Sequence, residues 1–216
     1  MNDHTTSSEK LDTAAADAPT MTRKGFLIAS GASLAVLFGL GALGAEEAHA
    51  VEHLRPPGGQ DGTTLLGACI KCDRCRSACP QNVIDVGHLE DGIANARTPI
   101  LDFTKGYCDF CEGHAEYRCV QSCPTGALLA GFDPEVNALG IARVNTDECL
   151  LYRSGSGSCS KQCIGACAYS AIELVDGELL VDESQCNGCG ACEFFCPSTS
   201  YGSFTGTMRR GISVEC

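Results

Sequence analysis

Tryptophan is absent from the 216-residue chain, and aromatic residues make up only 6% of it. That scarcity excludes a large aromatic core. Basic residues are also few: 15 Lys and Arg stand against 27 Asp and Glu, for a formal charge of −12. Six of the acidic and three of the basic residues lie in the first fifty, so the remainder carries 21 against 12, or −9. Without a basic footprint, nucleic-acid binding is excluded. An acidic surface suits steering toward basic patches on protein partners, or is simply a solvated face. No nucleophile with its base and no glycine-rich nucleotide loop stands out, so nothing in the text marks an enzyme.

Cysteine is what the chain has in excess, 17 residues in all. The segment CNGCGACEFFCP places Cys186, Cys189, Cys192 and Cys196 in the order C-x2-C-x2-C-x3-C, followed by Pro197. This is the bacterial-ferredoxin run that holds [4Fe–4S] clusters. Three thiolates on one tight loop each reach a different iron of a cubane, and the fourth leaves in another direction to serve a second cluster. Gly188 and Gly190 are expected to let backbone N–H groups approach the sulfurs. Cys69, Cys72, Cys75 and Cys79, before Pro80, repeat the pattern. Lys71, Arg74 and Arg76 beside that loop either offset cluster charge or are merely exposed, the second being the plainer reading.

Two further groups depart from the pattern. Cys108, Cys111, Cys119 and Cys123, before Pro124, carry a seven-residue middle spacing, EGHAEYR; His114 within it reads as an exposed loop residue. Cys149 is followed only after nine residues by Cys159, then by Cys163 and Cys167, with Ala168 where proline is expected. Both later spacings in this third group are x3. A fourth [4Fe–4S] site is expected from Cys149, Cys159, Cys163 and Cys167; a zinc site, a three-iron cluster or a disulfide are the alternatives. Zinc fits the first and last groups poorly, because structural zinc sites prefer two separated cysteine pairs. Cys216 falls outside the sixteen-cysteine pattern and is expected at a frayed end.

The groups open at 69, 108, 149 and 186, intervals of 39, 41 and 37 residues, so the domain is an internal repeat with a period near 40. Between the groups short strands are expected. AIELVDGELLV, 171–181, carries Asp176-Gly177 between alternating apolar residues, a two-residue hairpin. IARVNTDEC (141–149) and TPILDF (98–103) read as related strands. A short helical turn is expected after each fourth cysteine, as in CPTGALLAG. The expected fold class is α+β: tandem ferredoxin-like dicluster modules of short β-hairpins and short helices. Residues 67–200 form the four-group domain, 51–66 a Pro/Gly linker without regular structure, and 201–216 a C-terminal tail without functional signal.

Residues 1–20 are polar and aperiodic, as in disordered segments. Arg23 and Lys24 then precede an apolar run to Leu43, and Ala48-His49-Ala50 offers a cleavage site before Val51. The long polar start, the basic pair and the glycine-rich apolar stretch resemble a twin-arginine (Tat) signal, with lysine in place of the second arginine. An ordinary secretory signal or an uncleaved anchor is the alternative. Export usually oxidises cysteines to disulfides, so a disulfide or zinc scaffold is the rival reading of the array. Tat-type signals imply export of a folded protein, with clusters installed beforehand.

The Tat-like leader, LRPPG (54–58), four ferredoxin-type groups and the stretched third group together resemble the NapG/MauM group of exported ferredoxin-type proteins, over residues 22 to about 200. The resemblance implies four [4Fe–4S] clusters on the sixteen cysteines, and electron transfer rather than catalysis. It also implies a polytopic membrane quinol dehydrogenase as donor. The acceptor would be a periplasmic reductase of the nitrate-reductase type or a c-type cytochrome, or a methylamine dehydrogenase system for the MauM-like members. An iron–sulfur subunit of a DMSO-reductase-like molybdopterin enzyme is the alternative. Because each fourth cysteine crosses over, the clusters come in two pairs. The pairing is either first with second and third with fourth, or nested, as in the related molybdenum-enzyme subunits; the nested order is the expectation.

Overall fold

The structure is a computed structural model that describes residues 53–155, 157–198 and 210–216, together with Thr22 and Lys24. The chain divides between His49 and Ala50 into two units. Apart from Thr22 and Lys24, the expected leader and its cleavage site lie outside the described residues. No helix among the described residues is long and apolar enough to cross a membrane.

The second unit is assembled from very short elements. In chain order they are α1 (Gly62–Ala68), α2 (Arg74–Ala78), β1 (Ile84–Val86), β2 (Pro99–Leu101), α3 (Arg118–Gln121), β3 (Ile141–Val144), α4 (Leu150–Ser154), α5 (Gly157–Ala166), β4 (Ile172–Val175), β5 (Glu178–Val181), α6 (Ala191–Phe194) and β6 (Ile212–Glu215). Among the described residues the strands form three two-stranded antiparallel sheets: β1 with β2, β4 with β5, and β3 with β6.

The expected hairpin is present. Ile172 pairs with Val181 and Val175 with Glu178. Asp176 (φ 53°) and Gly177 (φ 88°) both take the left-handed conformation that a type I′ turn requires. The strands expected within 98–103 and 141–149 are β2 and β3. The helical turns stand elsewhere than expected. They precede the fourth cysteine rather than follow it, and α2, α3 and α6 carry the third cysteines, Cys75, Cys119 and Cys192.

The segment expected to be a linker is instead packed into the domain. Leu101 N–H donates to Leu54 O at 2.8 Å and Leu129 N–H to Gly58 O at 2.9 Å. Gly58 sits at φ 80°, and a Cβ there would stand 2.1 Å from Leu129 O. Arg55 is buried, 7% exposed. Its guanidinium donates to Thr98 Oγ1 (2.7 Å), Pro99 O (2.8 Å) and Asn95 Oδ1 (2.7 Å). Asp61 then caps α1 by accepting from Thr63 N and Thr64 N, and Leu65 on that helix is fully buried. Two prolines and two glycines suppress a helix over 56–59, but an irregular path can still be buried when its polar groups find partners.

The described part of the tail, 210–216, is likewise joined to the domain. β6 pairs with β3 across some seventy residues of chain, Val144 with Ile212 and Ala142 with Val214. Ile212 and Val214 face inward while Ser213 and Glu215 are more exposed, the period of two expected of a half-buried strand. The two closures correspond: Gly58, before the first cysteine group, meets Leu129 after the second, as β3 before the third group meets β6 after the fourth.

One hydrophobic cluster runs through the unit. Leu65, Val83, Ile84, Leu101, Phe103 and Leu128 belong to it on one side, and Leu139, Ala142, Ile172, Leu179, Ile212 and Val214 on the other. Cys119, Cys163, Cys192 and Cys196 are buried members of the same cluster.

Two consequences are testable. Arg55→Ala strands the acceptors at Thr98, Pro99 and Asn95, and is expected to cost about 1–3 kcal/mol, read as a lower denaturant midpoint under anaerobic conditions. Asp85 bridges β1 to Lys105 and, at 3.7 Å, to Arg76. Burial pushes its pKa up, but the Lys105 hydrogen bond, a backbone N–H and the two positive charges prevail, so the net shift is downward. A depressed carboxyl contributes stability above its unfolded pKa and loses it as pH falls through the native one. Asp85→Asn should therefore destabilise the protein at neutral pH, and the difference from wild type should fade in acid, as measured by denaturation at stepped pH.

Candidate iron–sulfur sites

The sixteen cysteines stand around four cavities, four to each. Cavity I takes Cys69, Cys72 and Cys75 from the first group and Cys123 from the second. Cavity II takes Cys108, Cys111 and Cys119 with Cys79. Cavity III takes Cys149, Cys159 and Cys163 with Cys196. Cavity IV takes Cys186, Cys189 and Cys192 with Cys167. They enclose ≈ 410, 330, 290 and 320 Å³ in that order, part of it open to solvent.

Three cysteines of each group thus stay together and the fourth crosses. The exchange runs between groups one and two and between groups three and four. This corrects the nested order expected above. It also corrects the third site, where Cys196 takes the place given to Cys167. The crossing has a local cause: each fourth cysteine follows a short helix and leaves it to one side. Cys79, for example, is in extended backbone (φ −71°, ψ 117°) directly after α2.

The irregular third group has a structural reason. Its x3 spacing is a helical i, i+4 spacing, and Cys159 and Cys163 lie one turn apart on α5. In groups one and four only the third thiol stands on a helix and the second on a loop, whereas one helix carries both here. Gly155 (φ 64°) ends α4 and lets the chain turn into α5. In the loops the backbone shape recurs without glycine. Lys71 (φ 56°) and Asp73 (φ 60°) take the left-handed conformation that Gly188 (φ 73°) and Gly190 (φ 78°) take in group four. Glycine is needed at the latter pair for a different reason than sulfur contact. A Cβ on Gly190 would stand 2.1 Å from the Phe103 ring, and one on Gly188 would stand 2.4 Å from the Gly140 backbone.

The chemistry of the donor set fits clusters. Apolar side chains flank the thiols: Leu65, Val86 and Leu128 at cavity I, Val83, Ile84 and Leu101 at II, Leu179 and Ile212 at III, Ala142, Ile172 and Val214 at IV. Backbone N–H groups point at sulfur: Arg118 at Cys111 (3.4 Å), Ala142 at Cys186 (3.4 Å) and Ala171 at Cys167 (3.3 Å). Such donors favour the thiolate and tune a bound cluster. Burial opposes them. It pushes the thiol of Cys75 up to about 11, that of Cys163 to about 11 and that of Cys119 to about 12, and raises Cys108 and Cys192 further. Without iron these thiols are neutral at pH 7, and ligation must release their protons. Among the described residues no three His, Cys, Asp or Glu side chains converge closely enough for a single metal ion. Four thiols spread around a cavity instead suit a polynuclear core.

The remaining residues singled out in the sequence are peripheral. His114 is exposed, as expected. Arg74 and Arg76 are exposed, and Lys71 is half-buried with Nζ 3.4 Å from Ala94 O. The sequence reading missed Arg210, which donates to Phe194 O at 2.9 Å and also to Glu193 O. Together with the Gly211 N–H to Ser198 Oγ bond (2.8 Å) and the Val214 N–H to Glu193 Oε2 bond (2.7 Å), it fastens the tail to the helix between Cys192 and Cys196. The alternation of Ile212 and Val214 was the available signal.

The crossing gives a sharp test. Cys163→Ala and Cys196→Ala each lie at cavity III, so each should lower iron by about four per chain, and the double variant by no more than either alone. Pairing Cys163→Ala with Cys167→Ala should lower it by about eight. Iron analysis of anaerobically isolated protein reads the difference.

Residues 68–127 match the 4Fe-4S dicluster domain family, and residues 179–198 match the 4Fe-4S binding domain family. The methylamine utilization ferredoxin-type protein MauM of Methylophilus methylotrophus is 33% identical over 202 residues, 89% of this chain and 88% of that protein. MauM of Methylobacillus flagellatus is 31% identical over 169 residues, 74% of this chain and 70% of its own. The ferredoxin-type protein NapG of Escherichia coli K12 is 28% identical over 159 residues, 66% of this chain and 65% of its own length. Cavities built for cubane clusters, and this similarity over most of the chain, lead to one conclusion: the protein belongs to the MauM/NapG family of ferredoxin-type iron–sulfur electron-transfer proteins.

Proposed function

We propose that the chain is a four-cluster relay that passes single electrons between larger redox enzymes. In this reading it is exported by its Tat-like leader and works outside the cytoplasmic membrane, with the leader either cleaved after Ala50 or kept as a tether. A membrane quinol dehydrogenase is the donor, and a reductase of the nitrate-reductase type or a c-type cytochrome is the acceptor. The observation that carries the reading is the grouping of all sixteen patterned cysteines into four cavities of four. When bound, [4Fe–4S] clusters supply reversible one-electron changes.

The chain's own part is to hold, insulate and tune. Leu65, Val83 and Ile212 keep water from the thiols, each being almost fully buried. The N–H groups of Arg118, Ala142 and Ala171 lower electron density on the sulfurs they face. A methylamine-oxidising system is the second reading of the partners, favoured by the MauM name of the relative that covers 89% of this chain.

Metal content tests the proposal. Protein purified without oxygen should hold about sixteen iron per chain, four for each cubane, with a broad visible absorbance that dithionite bleaches. Stripping the iron with a chelator should also unfold the domain, seen as loss of near-UV and far-UV dichroism together. Colourless protein with its thiols joined in disulfides would leave the scaffold reading instead.

A further inference from the structure

The two pairs of cavities meet at one place. Cys108, a cavity II cysteine, donates its backbone N–H to the carbonyl of Cys189, a cavity IV cysteine, at 2.8 Å. A single hydrogen bond therefore joins the thiol of one half to the thiol of the other, with only backbone and two Cβ atoms between. Beside it, Phe110 of cavity II meets Tyr169 of cavity IV edge-on, with ring centroids 6.4 Å apart. Leu139 N–H donates to Asn187 O at 2.8 Å, and Gly188 and Gly190 allow the group-four loop to lie against Gly140 and Phe103. Tyr107 also rests on Phe194 and Phe195, at 5.9 and 5.7 Å, though none of these three rings lines a cavity.

Cavities I and III take no part in this seam. Cavity I is lined only by residues between Leu65 and Leu128, and cavity III only by residues between Cys149 and Ile212. Their links to the rest are the exchanged cysteines. Cavity I is also the one that opens outward at a thiol: Cys72 is exposed, and Ile70 two residues before it is 62% exposed.

We propose that the Cys108–Cys189 contact is the bridge between the two halves, and that electrons cross the protein in the linear order I, II, IV, III, or its reverse. The inner positions are II and IV, and I and III are the two ends of the row. Each transfer moves one electron, oxidising one site as its neighbour is reduced, with no bond made and no proton required. The electron enters from the quinol-oxidising partner and leaves to the acceptor of the reading above, on which this order rests.

The order is tested by EPR of the anaerobically reduced holoprotein, where neighbouring reduced clusters broaden each other's signals. In Cys186→Ala, which removes a cavity IV thiol, iron should fall by about four per chain. Site III should then show the sharp signal of an isolated spin, while sites I and II stay coupled. A site III signal still broadened in that variant overturns the order. Pulsed dipolar EPR of the unsubstituted holoprotein needs no substitution: a linear row gives one separation well beyond the others, that between I and III. Near-equal separations overturn the order. Wild-type protein without iron overturns the relay reading and the order together, so the two failures are told apart by the metal analysis.

Discussion

Within each half of the protein two cavities exchange one cysteine. Cys79 stands with Cys108, Cys111 and Cys119, and Cys123 stands with Cys69, Cys72 and Cys75. Cys167 and Cys196 make the same exchange in the other half. Neither cavity of a pair can be completed by its own segment, so about forty residues of chain must fold against the next forty before any site has its four donors. That reciprocal requirement organises everything else. It sets which loops adjoin, and it places the third thiols on the short helices α2, α3 and α6, just before the fourth. It also makes the strands β1–β2 and β4–β5 the connections between paired groups.

The energetic setting explains why such small elements hold. Three isolated two-stranded sheets are marginal in water, and the chain has no tryptophan to enlarge its core. Buried cysteines fill that deficit by sharing one hydrophobic cluster with Leu65, Phe103 and Ile212. Burial makes the thiols of Cys119, Cys163 and Cys192 resist ionisation. Thiolate–iron bonds would cross-link the segments around each cavity, in the manner of metal sites whose binding free energy is folding free energy.

The two halves are variations on one plan, and their differences are instructive. Group four meets the backbone demand of its loop with Gly188 and Gly190, group one with Lys71 and Asp73 at the same dihedral signs. Left-handed non-glycine residues cost of order 1–3 kcal/mol each where the surroundings enforce them. Group one has room for side chains there; group four does not, because its loop is pressed against Phe103 and Gly140. Gly190 therefore marks the face where one half packs on the other, through Phe103. In group three the loop is replaced by α5, and a helical repeat substitutes for loop geometry.

Much of the protein was legible without coordinates. The sixteen cysteines, the 171–181 hairpin and the strands at 99–101 and 141–144 follow from local rules: motif spacing, an Asp-Gly turn and short apolar alternation. Segments judged by composition were misread. Pro56, Pro57, Gly58 and Gly59 exclude a helix, yet the path they take is buried through Arg55 and Gly58. Ile212–Glu215 form a strand because a distant partner, β3, supplies its hydrogen bonds. Sequence spacing alone picked out the sixteen cysteines as candidate sulfur donors, since that depends on residues a few positions apart. Which donors share a cavity was decided only by tertiary structure, because the fourth thiol of each group points away from its neighbours in the chain and its partners are brought to it by the packing of another segment.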